Sequence, residues 1–231
     1  MAKRGLSFVV LACVAALSAP ALAARPLPAS MSAYLLGPKL IRAEIVVKGS
    51  PLHDYRLDRG KLLKRYRGGS LNLLERDGAK TPVKVAPGAR VYLNGTPSTL
   101  RRLRAGMQIA VYHDADLPAA TVFAATRQAP KWSPSVVALM FGNRLVRAEI
   151  ALQDSVLHDY RVDHGRIKQV GVFTVLLAEP DGTEVTIDIS PAARIRVNGK
   201  GANFVQLRKG MMATALRDGD KPADQVFATG K

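Results

Sequence analysis

The sequence predicts an all-β protein made of two tandem copies of one small unit, and three observations carry that reading. The stretch RAEIVVKGSPLHDYRLDRG, from Arg42, returns as RAEIALQDSVLHDYRVDHG from Arg147. The offset is about 105 residues, and self-similarity at a fixed period marks a duplicated folding unit. Within each copy, short runs alternate apolar and polar residues and are punctuated by Gly, Pro, Asn or Asp about every ten positions. The turn pairs Asp77-Gly78 and Asn94-Gly95 return as Asp181-Gly182 and Asn198-Gly199. Such pairs supply the positive φ values that tight hairpins need.

Taken in order, residues 1–23 read as a secretory signal peptide. Lys3 and Arg4 precede an apolar run from Leu6 to Leu17, and Ala21 and Ala23 set cleavage after Ala23. The run is shorter than the roughly 20 residues that span a bilayer, so no transmembrane segment is expected in the mature chain. Export places the protein in the periplasm or outside the cell. The single cysteine, Cys13, lies within the signal. A lipoprotein anchored there is disfavoured by the better cleavage site downstream. The mature chain is then expected to lack disulfides, thiol chemistry and thiolate metal sites.

Residues 24–31, rich in Pro, Ala and Ser, read as a flexible lead-in. The first copy covers 32–125, with strands expected at 39–48, 52–58, 61–67, 71–76, 83–86, 90–93, 107–113 and 121–124. A single helical turn is expected at 98–104, where STLRRLR runs toward Gly106. Residues 126–135, TRQAPKWSPS, form a Pro-containing linker. Its Trp132 is the only indole in the protein and is expected to dock on a neighbouring domain, with a stacking platform for a base or sugar as the alternative. The second copy covers 136–229 and repeats the same order, one residue shorter between HDYR and the Asp-Gly turn. With 48% hydrophobic residues and few aromatics, the core must be mostly Val, Leu, Ile and Ala.

His, Asp, Tyr and Arg in succession invite a catalytic reading. On a strand, however, neighbours point to opposite faces. His53, Tyr55 and Leu57 then share a core-facing side, while Asp54, Arg56 and Asp58 form an Asp-Arg-Asp ladder on the other; His158, Tyr160 and Val162 oppose Asp159, Arg161 and Asp163 in the same way. His113, Asp114, Asp116 and His164 lack the spacing of a metal signature. There is no G-x-S-x-G elbow and no phosphate-binding loop with its lysine. No catalytic residue, metal site or cofactor is expected.

Charge separates the copies. The chain carries a formal charge of +16; residues 32–125 hold sixteen Lys and Arg against seven Asp and Glu, and residues 136–231 hold thirteen against eleven. The excess comes from Lys61, Lys64, Arg65 and Arg67, with Tyr66 among them, and from Arg101, Arg102 and Arg104. A basic surface of this kind attracts polyanions through a field that salt weakens. Lys and Arg suit phosphates while Tyr66 offers a stacking face. A solvated strand end that guards against edge pairing is the alternative.

The runs ARIRVNGKGANFVQLRKGMMATAL (193–216) and ARVYLNGTPSTLRRLRAGMQIAVY (89–112) resemble a bacterial exported domain of unknown function, number 5666 in the domain catalogues. The likeness lies in a strand, an Asn-Gly turn, a short L-x-x-G connection and a closing strand. It covers nearly all of the mature chain. The resemblance implies two small β-barrels similar to the oligonucleotide/oligosaccharide-binding fold, and brings no activity with it; β-sandwiches are the alternative. The expectation is an exported, non-enzymatic binding or envelope-associated protein whose first copy contacts an anionic polymer, an anionic membrane surface or nucleic acid. An enzyme on such a polymer, using Asp54, Asp58, Asp159 or Asp163, and a structural module for a partner protein are the alternatives.

Overall fold

A computed structural model describes residues 26–230; the expected signal peptide and Cys13 lie outside them. The first copy runs α1 (Ala29–Leu35), β1 (Leu40–Val47), β2 (His53–Arg65), β3 (Leu71–Leu74), β4 (Lys80–Val83), β5 (Val85–Leu93), β6 (Thr96–Ser98), β7 (Gln108–Asp114) and β8 (Ala119–Ala125). The second runs α2 (Pro134–Met140), β9 (Leu145–Gln153), β10 (Leu157–Val170), β11 (Thr174–Ala178), β12 (Glu184–Val197), β13 (Lys200–Ala202), β14 (Met212–Asp218) and β15 (Ala223–Thr229). A 3-10 turn follows β6 at Leu100–Arg102 and β13 at Phe204–Gln206.

In the second copy β10, β11, β12, β15 and β14 close into a five-strand barrel, with β12 and β15 parallel and every other neighbouring pair antiparallel. This is the strand order expected of an oligonucleotide/oligosaccharide-binding type of barrel. The first copy repeats it through β2, β3, β4 with β5, β8 and β7; its third strand is interrupted at Lys84, where β12 runs on unbroken. No helix among the described residues is long and apolar enough to cross a membrane.

Several local expectations are corrected. The break expected between 58 and 61 is absent: β2 and β10 each run straight through a glycine. Gly60 is there for close approach, since a Cβ would lie 2.6 Å from the Leu74 carbonyl oxygen, and at Gly165 one would lie 2.5 Å from that of Ala178. The strand expected at 83–86 is split at Lys84: Val83 ends β4, while residues 85–86 and 90–93 belong to β5 with a register shift; the start of β4 at Lys80 and all of β6 were not anticipated. The part of the expected lead-in that the structure describes, 26–31, is not loose, for Leu27 is buried and α1 begins at Ala29. Its counterpart α2 starts inside the expected linker, with Pro134 in its first turn and the Ser133 hydroxyl accepting from the Val136 amide.

The two copies are joined edge to edge. β1 pairs antiparallel with β9 so that Glu44 faces Glu149, Ala43 faces Ile150 and Ile45 faces Ala148. Equivalent residues thus meet across an internal two-fold relation, the pattern of an isologous dimer interface carried within one chain. The pairing also removes two exposed sheet edges. Each barrel keeps its own core, around Leu62, Leu73 and Ile109 or around Ile167, Leu177 and Ile187. A third core lies over the seam, where Ile45, Leu57, Ile150 and Val162 meet Leu35, Met140 and Trp132 from the two helices and the connection.

Candidate anion-binding site

The repeated HDYR stretch makes contacts within the fold on both of its faces. Leu57 and Val162 enter the central core, Tyr55 and Tyr160 pack against it, and His53 and His158 stack on those tyrosines at 5.6 and 5.1 Å. The outer face differs from the expected ladder along one strand. Arg56 reaches across to Glu44 (3.3 Å) and Asp116 (3.3 Å), and Arg161 to Glu149 (4.0 Å) and Asp220 (2.7 Å). Glu44 and Glu149 stand directly opposite the arginines on paired strands, closer than residues two apart along one strand, while Asp116 and Asp220 reach in from the turns after β7 and β14.

Asp58 holds His113 at 3.3 Å, and the hydrogen bond, set against burial, raises the imidazole above its ordinary pKa. Its counterpart Asp163 faces Arg217 at 3.3 Å, and burial lifts the Asp163 carboxyl above the usual range. Among the described residues no group of three or more His, Cys, Asp or Glu is arranged to hold a metal ion.

The basic residues singled out in the sequence are all exposed. Lys61, Lys64 and Arg65 end β2, Tyr66 and Arg67 form the turn to β3, and Arg101, Arg102 and Arg104 lie on or just after the 3-10 turn. Hydrogen bonds of 2.8 Å from the Leu62 amide to Met107 and from the Gly106 amide to Leu62 draw the end of β2 against the segment that follows Arg104. In the second copy the counterparts of Lys64, Arg65, Arg101 and Arg104, which are Gln169, Val170, Val205 and Arg208, line one shallow cleft of about 660 Å³. Lys61 faces a different cleft, and nothing ties Arg67 or Arg102 to the group. Lys64 lies over the Tyr66 ring at 4.9 Å. The Arg104 guanidinium folds back on the carbonyls of Arg101 and Leu103, as Arg208 does on Val205 and Leu207. Among the described residues, none of these cations has a carboxylate within 4.0 Å.

Sequence reasoning missed a deeper feature next to this surface. A cleft of about 940 Å³ opens where the middle of β2, the end of β3 and α1 meet the chain segment 127–132. Arg59, Lys61, Arg76, Arg127 and Lys131 line it, with Trp132 in one wall. Arg59 is only 5% exposed; its Nη2 donates to the Pro130 carbonyl at 3.0 Å and its guanidinium stands 5.4 Å from the centre of the Trp132 ring. Burial, with a smaller push from the Arg76 charge, lowers its pKa to about 10.

The one carboxylate in the cleft wall, Glu75, is already engaged by Arg42 at 2.5 Å and by the Thr81 hydroxyl at 2.7 Å. Trp132 docks as expected, edge-on to Phe123 at 5.9 Å. The available signals were that Arg59 is replaced by His164 within an otherwise matching stretch, and that Arg127 and Lys131 flank the indole. Compared with known proteins, the chain matches no family model and no curated protein.

Proposed function

We propose that this is an exported, non-enzymatic binding protein of the bacterial envelope, whose first copy contacts an anionic polymer or anionic surface. The observation behind this reading is the set of exposed cations at the end of β2 and on the 3-10 turn that have no carboxylate partner among the described residues. Lys61 and Arg104 keep basic counterparts in Arg166 and Arg208, whereas Lys64, Arg65, Arg67, Arg101 and Arg102 are replaced by Gln169, Val170, Val172, Val205 and Gln206, and the basic Lys168 there is matched by Glu184 at 3.8 Å. Cations left unpaired on one copy and dispensed with on the other suit a charged partner better than they suit folding. The expected signal peptide at residues 1–23 and the resemblance to an exported domain of unknown function belong to the same reading.

Contact through phosphates or sulfates releases counterions, so binding falls steeply as salt rises. Reversing Lys64, Arg65 and Arg67 to Glu tests the reading on a heparin column and with single-stranded DNA. The expected outcome is elution at clearly lower salt with an unchanged unfolding midpoint. Retention equal to that of the unaltered chain rejects the assignment.

A further inference from the structure

The geometry points to the Arg59 cleft as a binding site for a phosphate-bearing ligand, with the phosphate seated against the Arg59 guanidinium beside Trp132. The assignment shares the positive field of the first copy and Lys61 with the surface proposed above but otherwise depends on other side chains.

Arg59 carries the argument. A guanidinium hidden from water needs a counter-charge or a full set of acceptors, and leaving it with neither is costly. Here it has one carbonyl, the face of an indole and, among the described residues, no carboxylate within 4.0 Å. Its Nε is buried with no hydrogen-bond partner, and so is Nε1 of Trp132, itself only 8% exposed. Two buried donors without acceptors thus belong to adjacent side chains of one cleft wall. Both are donors only, so the group that satisfies them must be an acceptor.

Charge narrows the chemistry. Lys61, Arg76, Arg127 and Lys131 surround Arg59, while Glu75 is already tied to Arg42. A single carboxylate would leave most of that field unbalanced. A phosphomonoester or pyrophosphate group brings about two or more negative charges and three or more strong acceptor oxygens on one centre. Those oxygens can meet donors arriving from β2, β3 and the 127–132 segment together. The cleft is larger than a phosphate, and Leu36 and Val137 give an apolar wall for the body that carries it.

The second copy shows the same position without the charge. His164 replaces Arg59, is held neutral by burial that lowers its pKa to about 4, and bonds Thr214 at 2.8 Å, where the first copy has Ala110. Pro180 stands in place of Arg76.

The test uses the full chain and inorganic pyrophosphate, followed by calorimetric titration and by the shift in thermal midpoint. Saturable binding with a raised midpoint is expected. Arg59→Gln, which removes the buried charge, should weaken binding roughly tenfold or more, the scale of a lost charge-assisted hydrogen bond, while the ligand-free chain stays folded. Arg76→Glu and Lys131→Glu, both at exposed rim positions, should weaken it as well and serve if the Arg59 variant fails to fold. The triple Lys64, Arg65 and Arg67 reversal should leave pyrophosphate binding within about twofold even where it abolishes heparin retention, so the two proposals fail separately. Vesicles with a phosphomonoester lipid headgroup, compared with phosphocholine vesicles, assign the source. Binding lost in Arg59→Gln marks an anchored phosphate, and binding of pyrophosphate alone marks a free one. No midpoint shift at millimolar pyrophosphate, or wild-type affinity in both the Arg59 and rim variants, overturns the assignment.

Discussion

The two copies share the ion-pair lock that ties β1 or β9 to its barrel and differ at positions just beyond it, two of them buried. Arg42 binds Glu75 and Asp77 at 2.5 and 2.8 Å; Arg147 binds Glu179 and Asp181 at 2.6 and 2.8 Å. Both glutamates are buried, and both locks tie the strand before the barrel to the hairpin after β3 or β11. At the barrel positions just beyond, the copies part: Arg59 against His164, His113 against Arg217, Thr81 against Val185. A duplicated fold must keep the groups whose loss would strand a buried charge. It is free to differ where a group and the residue opposite it differ together, as Arg59 opposite Ala110 corresponds to His164 opposite Thr214.

The largest expected effect breaks the locks. Arg42→Met and Arg147→Met each leave a buried glutamate without its cation, at a cost of about 3 kcal/mol in urea unfolding. The second should cost more by about 1 kcal/mol, because Glu75 keeps the Thr81 hydroxyl whereas Arg147 is the only side chain among the described residues that bonds Glu179. Equal losses would show that the Thr81 bond contributes nothing.

Next comes acid. His164 has its folded pKa lowered to about 4 by burial, against an unfolded value of about 6.5. The unfolded chain therefore binds the proton first. The stability associated with a neutral His164 is whole above about pH 6.5 and is lost as pH falls toward about 4, by up to about 3 kcal/mol. Unfolding midpoints measured across that window should fall less steeply in His164→Asn than in the unaltered chain. Arg59, at the same position in the first copy, does not titrate there, so hydrogen exchange should find the second barrel opening first in acid. Parallel loss in both barrels would contradict this.

The smallest effect runs the other way. The bond to Asp58 raises the folded pKa of His113, so its contribution is complete below about pH 6.5 and is lost as pH rises through the folded value. About 1 kcal/mol or less is at stake. His113→Arg, which imports the residue of the second copy, should remove that alkaline loss; an unchanged slope of stability against pH would mean the pair is inert.

Much of the architecture was legible in the sequence because period and turn chemistry are local. The alternation in HDYRLD places Leu57 in the core and Tyr55 beside it, and the Asn-Gly pairs sit at turns where Asn94 and Asn198 have φ near 52°. The basic surface was legible as a difference in charge. Arg59 was not, because nothing in LDRG says that residues 127–132 fold back over it. The helices α1 and α2 were hidden for a related reason: seven residues each give too short a pattern, and they are stabilised by the seam they cover.

The sequence alone determined that there are two units, that they are built of strands, and that one is far more basic than the other, since repetition, alternation and charge are properties of neighbours along the chain. Only the tertiary structure decided that β1 and β9 fuse the units into one sheet, and that a buried arginine and a tryptophan some seventy residues apart share a cleft. Such pairings depend on which edges meet and which loops return, and these are set by the summed burial of distant side chains.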